Sequence, residues 1–364
     1  MNGGQAGAGI RCMVMRGGTS KGLYFLAEDL PVDPGARDEL LLRIMGSPDN
    51  RQIDGMGGAH PLTSKVAVVS RSAVAGIDVD YHFLQVLVEE AAVTDRQNCG
   101  NLLAGVGPFA LERGVVDVPP AADNATIGIR LVNTGGRATA TVPLGEGRLR
   151  YDGTTAISGV PGTAAAIRLD FEDVAGSSCG ALLPTGRMVD KICGVDATLI
   201  DNGMPVVVMR AGDVGVTGYE SCAELEANTQ LRSTLEQIRL AAGPLMNLGP
   251  VDALTVPKLT LVAPPRQGGS ISSRTFIPHR CHDAIGVLGA VSVATAALLP
   301  EGPAPEMVGL AGGNTVVIEH PSGTFEAAVE LAFADDGGVV VERAGIIRTA
   351  RKLMDGFVFP RPLT

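Results

Sequence analysis

Two stretches of this chain are apolar on nearly every face. They are "LLAGVGPFAL" inside a helical run over 101–113, and "AIGVLGAVSVATAALL" over 284–299. A helix with no polar face has to be covered on every side. The second run is bounded by Asp283 and Pro300 and is shorter than the roughly 20 residues a bilayer span needs, so it reads as a buried core helix. Around each run lie short segments, alternating or continuously apolar, separated by glycine turns. That is the pattern of β-strands. A third helix, with a Glu/Arg surface and leucines at helical spacing, is expected over 220–243 and carries no chemistry.

The pattern recurs. "IRLVNTGGRATATV" (129–142) resembles "VVIEHPSGTFEAAV" (316–329), and "ISGVPGTAA" (157–165) resembles "RAGIIRTAR" (343–351). The glycine turn in "MRGGTSKGLYFLAEDL" (15–30) resembles that in "IDNGMPVVVMRAGDV" (200–214), and "SKVAVVS" (64–70) lies over "PKLTLVA" (257–263). Several weak matches at nearly one spacing indicate two copies of one supersecondary unit. The copies meet near "LLPTGR", giving domains 1–184 and 185–364. Strands and helices do not alternate as in βαβ units. The expected class is therefore α+β, two pseudo-repeated domains, each an antiparallel sheet wrapped around a central apolar helix.

Composition fits this picture. The chain has 364 residues, 45% hydrophobic, with 4% aromatics and no Trp, so packing rests on aliphatic side chains. A net charge of −10 without long charge runs argues against nucleic acid or an anionic membrane as partner. Six scattered cysteines without a CxxC pair read as reduced thiols, and the N-terminus lacks a signal-peptide pattern, so a cytoplasmic protein is expected. A homodimer is compatible with all of this.

Two such repeats usually face each other across a cleft, where a small ligand binds. Cys99 stands just before the first apolar helix, where unpaired amides and the helix dipole favour an anion. A thiol there is suited to proton exchange, although a packed, inert cysteine is equally ordinary. Gly100 and Asn101 leave amides open for a carboxylate or enolate oxygen. The residue 186 positions after Cys99 is Ile285, so the repeat has no second thiol there; Cys281 lies nearby. Lys65, one of few lysines, enters an apolar strand. A lysine in such a setting loses the solvation that favours its charge and becomes a base, and a surface lysine at a strand start is the plainer alternative.

"MRGGTSKG" (15–22) is not a phosphate-binding GxxxxGK[ST] loop. Its consecutive glycine amides, Gly18 among them, with the Thr19 and Ser20 hydroxyls form either a carboxylate nest or a simple tight turn, and Lys21 follows them. "SRTFIPHRCHDAIG" gathers Arg274, His279, Arg280 and His282 before the second apolar helix, a setting for an anion or a proton relay. His279, Cys281 and His282 are too crowded for zinc, and no metal is expected. Met204, in "DNGMPVV", belongs to the second repeat's glycine turn.

Taken together, "MRGGTSKG", "RQIDGMGG", "LTSKVA", "NCGN" followed by "GVGPFALERG", "DNGMPVV" and "FIPHRCHDAIGVLGAVSVATA" resemble the PrpF family, a branch of the diaminopimelate-epimerase-like fold, over essentially the whole chain. The resemblance implies two similar domains, each a sheet on a central helix. Epimerases of that fold use two cysteines, whereas the PrpF branch pairs a lysine with one, matching Lys65 and Cys99. It further implies a cofactor-independent isomerase that performs a 1,3-allylic proton shift on an unsaturated tricarboxylate. The sequence is most similar to members acting on 4-oxalomesaconate in bacterial gallate and protocatechuate breakdown. Arg16, Gly18, Thr19, Ser20, Gly100, Asn101, Met204, Arg274, His279 and Arg280 would then bind substrate. The alternatives are isomerisation of 2-methylaconitate or an itaconate, and a non-catalytic polycarboxylate-binding protein.

Overall fold

The computed structural model describes residues 9–95, 98–117, 122–309, 315–334 and 338–362. The chain divides into two compact units, one of residues up to Leu169 together with Arg348 onward, the other Asp170–Ile347.

The first unit contains β1 (Ile10–Gly17), β2 (Ser20–Leu26), helix α1 (Pro34–Met45), β3 (Lys65–Arg71), β4 (Val79–Val86), β5 (Val93–Thr94), helix α2 (Gly100–Glu112), β6 (Asn124–Leu131), β7 (Arg137–Gly145) and β8 (Arg148–Leu149). Strand β9 (Ile167–Glu172) spans the division. The second unit contains β10 (Asp190–Ile192), β11 (Val195–Asp201), β12 (Pro205–Arg210), helices α3 (Cys222–Ala227) and α4 (Thr229–Leu245), β13 (Lys258–Ala263), β14 (Ile271–Phe276), helix α5 (Val287–Ala297), β15 (Thr315–His320), β16 (Gly323–Phe333) and β17 (Val339–Arg348), whose last residue belongs to the first unit. The last strand, β18 (Ala350–Val358), belongs to the first unit, where it pairs antiparallel with the full length of β1. That ladder ties the C-terminal segment to the start of the chain.

The two units share one pairing scheme. In the first, β1–β2 is antiparallel, β2–β3 parallel, β3–β4 antiparallel, β4–β6 parallel and β6–β7 antiparallel. In the second, β11–β12, β12–β13, β13–β14, β14–β15 and β15–β16 repeat that order. Both sheets are mixed rather than wholly antiparallel. Hairpins give the antiparallel pairs, and longer connections, each carrying at least one helix, bring the chain back parallel. Three of the four sequence matches fall on corresponding hairpins or strands. The fourth does not: 157–165 carries only an isolated bridge of Thr155 to Ala164, whereas 343–351 lies in β17 and β18.

Within the first unit, strands β1–β4 are covered on both faces. Val14, Leu23, Phe25, Val66 and Val68 pack on Leu41 and Ile44 of α1. Each such fully buried side chain contributes about 1.5–3 kcal/mol. Helix α1 starts at Asp33, whose carboxylate accepts from the Ala36 amide at 2.8 Å, and stops at Gly46 in the left-handed region. On the opposite face lies α2, buried from Leu102 to Ala110. A Cβ on its Gly105 would sit 2.4 Å from the Tyr24 hydroxyl, so glycine there permits the close approach of helix and sheet.

The expected polar helix is two helices. Asn228 breaks it with an extended backbone, and its side chain accepts from the Leu231 amide at 3.0 Å to begin α4. Helix α5 is shorter than 284–299 because Gly286 is its cap. No described helix is long and apolar enough to cross a membrane.

Candidate functional site

The β1–β2 turn rests on the first turn of α2. A Cβ on Gly17 would lie 2.5 Å from the Asn101 carbonyl oxygen. Gly18 has φ +52°, and a Cβ there would lie 2.2 Å from Asn101 Oδ1, so both geometry and space demand glycine. Asn101 Nδ2 donates to the Thr19 hydroxyl at 3.1 Å, and its Oδ1 accepts a long bond of 3.5 Å from the Thr19 amide. Ser20 is 2% exposed, and its hydroxyl has no hydrogen-bond partner. Gly18, Thr19, Ser20, Gly100 and Asn101 are thus brought to one helix start.

Cys99 is the cap residue of α2, with an extended backbone, and its side chain makes no capping bond. The backbone is held instead. The Tyr81 hydroxyl donates to the Cys99 carbonyl at 3.3 Å, and the Tyr24 hydroxyl donates to the Leu102 carbonyl at 2.6 Å. Burial, and then the nearby Cys99, push both phenols well above the ordinary tyrosine range, so they stay neutral donors.

Lys65 opens β3 and is 7% exposed. Its amine donates to Gln85 Oε1 at 2.9 Å and lies 4.9 Å from the centre of the Phe83 ring. Gln85 is fixed by its own donations to the carbonyls of Ser64 at 2.8 Å and Pro61 at 3.1 Å. No carboxylate pairs with Lys65 among the described residues. Tyr81, Phe83 and Gln85 alternate along β4 and therefore share the face toward α2. Lys65, directly opposite Gln85, lies on that face too. Gly22 is the neighbour of Lys65 in the parallel β2–β3 pair, and a Cβ there would lie 2.9 Å from Leu102 Cδ2. One glycine therefore separates the Lys65 backbone from the first turn of α2.

Arg16 donates to the carbonyls of Gly18 at 2.9 Å and Thr349 at 3.0 Å, and to the Thr349 hydroxyl at 2.9 Å. Burial, then the charge of Arg351, lower its pKa, and it remains a cation. Arg16, Thr19 and Ser20 line a cavity of 480 Å³ within this unit.

In the second unit, Met204 ends the β11–β12 turn, and its carbonyl accepts from the Ser292 hydroxyl of α5 at 2.7 Å. Arg274 is 9% exposed and donates to the carbonyls of Glu220 at 2.7 Å and Ser273 at 2.9 Å. His279 lies 3.6 Å from Glu236 and Arg280 lies 3.8 Å from Glu226, so these two face α4 and α3. The four are not gathered on one element as the first-unit residues are. The caps align Cys99 with Gly286 rather than Ile285, and either way the second repeat offers no thiol. Cys281 instead meets Cys222, with the sulfurs 2.9 Å apart. No group of metal-binding side chains occurs among the described residues.

Sequence reading missed Tyr24, Tyr81 and Gln85. The available signal was their rarity: two of only four tyrosines, and a glutamine inside the apolar strand "YHFLQVLV".

A family model described as PrpF protein matches residues 8–361. The chain is 60% identical over 350 residues to (4E)-oxalomesaconate Delta-isomerase of Novosphingobium sp., covering 96% of each chain. It is 54% identical over 353 residues to 4-oxalomesaconate tautomerase of Pseudomonas putida, covering 96% of this chain and 95% of that one. Among solved structures, methylitaconate-delta-isomerase matches with a TM-score of 0.86 at 34% identity, over 97% of this chain and 96% of the other.

Proposed function

The chain belongs to the PrpF family, and from that membership we propose that it is an isomerase moving a carbon–carbon double bond in 4-oxalomesaconate by a 1,3-allylic proton shift. The observation that carries this reading is the near-full-length identity with two proteins named for oxalomesaconate isomerisation. The arrangement around α2 supplies the chemistry.

Lys65 takes a proton, with its amine lone pair, from the carbon between the ketone and the alkene. The electron pair spreads into a dienolate. First-turn amides of α2, at Gly100 and Asn101, lack helical partners and serve as donors to the developing oxyanion. The Cys99 thiol delivers a proton two carbons away, and the Lys65 ammonium then restores the thiol directly or through solvent. Atoms and charge balance over the cycle. No redox step is involved. Arg16 and the Gly18–Ser20 turn hold a carboxylate. We assign the protein to the cytoplasm, a reading that its six unpaired cysteines support.

Ultraviolet absorbance of the purified protein with 4-oxalomesaconate tests this, because the shift changes the conjugated chromophore. Turnover in D₂O that places solvent deuterium at the new C–H bond supports the two-residue relay. No absorbance change with this substrate, alongside turnover of a methylitaconate, would move the assignment to the other acid.

A further inference from the structure

Arg16 has a cation directly opposite it on both neighbouring strands. Its Cα partner in β18 is Arg351, and its partner in β2 is Lys21. Directly opposed residues share a face, and like charges so placed are destabilising. Other strand arginines here are neutralised: Arg130 meets Asp80, and Arg210 meets Asp196, Asp213 and Glu306. The row has no such relief. Arg16 bonds only to carbonyls and a hydroxyl. Outside the strand ladders, neither the Lys21 nor the Arg351 side chain makes a hydrogen bond or ion pair with any described residue. A chain of net charge −10 has no shortage of carboxylates to place there.

All three cations line the 480 Å³ cavity, a volume within the range of about 300–1,000 Å³ usual for small-molecule sites. The same cavity is lined by Thr19, which bonds to Asn101 at the start of α2. One acid, the exposed Asp152, lies on its wall.

We propose that Lys21 and Arg351, on either side of Arg16, form a carboxylate-binding row that grips the non-reacting carboxylates of a polycarboxylate substrate. The proposal rests on the isomerase reading for the identity of that substrate. A bound carboxylate offsets the like-charge repulsion among these three cations, so binding and folding are coupled through the same charges.

The test is titration calorimetry with propane-1,2,3-tricarboxylate, a saturated tricarboxylate that has no double bond to move, on wild type, Arg351→Gln, Lys21→Gln and Arg351→Lys. Melting temperature and steady-state kinetics accompany it. Each glutamine variant is expected to weaken binding about tenfold or more, as loss of a charge-assisted bond does, and Arg351→Lys to recover part of it. KM rises by a similar factor while kcat stays within about threefold, the signature of uniform binding lost. Melting temperature in the absence of ligand stays level or rises, because a repulsion is removed; a merely structural role would lower it. Unchanged affinity in both glutamine variants overturns the row, whatever the turnover, and so does a wild type that binds no tricarboxylate. Tight binding that is lost in the variants, with no turnover of oxalomesaconate, keeps the row and removes the isomerase reading instead.

Discussion

Lys65 donates to the side-chain oxygen of Gln85 at 2.9 Å, directly across the β3–β4 pair. The partner is neutral, so it orients the amine without adding an opposing charge. Replacing it by an acid changes that. Gln85→Glu sets a carboxylate against the Lys65 amine, and an ion pair there ties up the group that takes the proton. Turnover is expected to fall about tenfold or more, and further than in Gln85→Leu, which removes the bond without adding charge. Equal turnover in Gln85→Glu and wild type would separate Gln85 from the base.

Lys65→Ala and Cys99→Ser divide the two proton transfers. Loss of a general base or acid lowers turnover by roughly 10²–10⁴-fold. Lys65→Ala should fall in that range with its melting transition intact. Cys99→Ser should fall as far if the thiol returns the proton. A loss of only a few fold in Cys99→Ser would assign both transfers to Lys65.

Gly22 is a packing requirement. A Cβ would lie 2.7 Å from the Lys65 carbonyl oxygen and 2.9 Å from Leu102 Cδ2. Gly22→Ala is expected to destabilise by about 1–3 kcal/mol, the usual cost of overpacking. Because the strain falls between Lys65 and the α2 start, turnover should drop as well. Urea titration and kinetics on the same sample check both, and a variant as stable and active as wild type would contradict the close approach.

Tyr24 and Tyr81 predict an alkaline limit. Their folded pKa values are raised, chiefly by burial. The unfolded chain therefore releases these protons first, from about pH 10 upward. Their contribution is fully present below that value and declines as pH rises beyond it. Urea midpoints at pH 9 and pH 11 should show the loss, and Tyr81→Phe should lessen the drop between them. The same variant loses the bond to the Cys99 carbonyl and should be about 1 kcal/mol less stable at neutral pH.

Cys222 and Cys281 predict a crosslink. Their sulfurs are 2.9 Å apart, and burial first of all pushes both thiols above the ordinary range. With oxidised glutathione, the pair should form an intramolecular disulfide, its two hydrogens and electrons passing to two glutathione thiols. The reaction should be slow at neutral pH and faster as pH rises, because the thiolate is the attacking form. Peptide mass spectrometry identifies the bond. Glutathione found only on the exposed Cys193 would refute it.

What the sequence determined by itself is what local pattern encodes. Apolar runs without a polar face required central helices, and α2 and α5 are those helices. Glycine turns between alternating segments gave the β1–β2 and β11–β12 hairpins, and their recurrence gave the duplication. Cys99 at the α2 cap was legible because a helix start is a short-range feature. The tertiary structure decided which distant segments lie side by side. Strand register is set by burial and ladder hydrogen bonds across the sheet, and no local pattern states it. Register put Gln85 against Lys65, and the return of β18 put Arg351 against Arg16. Folding alone set Cys281 against Cys222 and the Tyr81 hydroxyl on the Cys99 carbonyl. The residue types that do the chemistry were visible along the chain; the neighbours that hold, charge or crowd them come from contacts made only when remote strands pair.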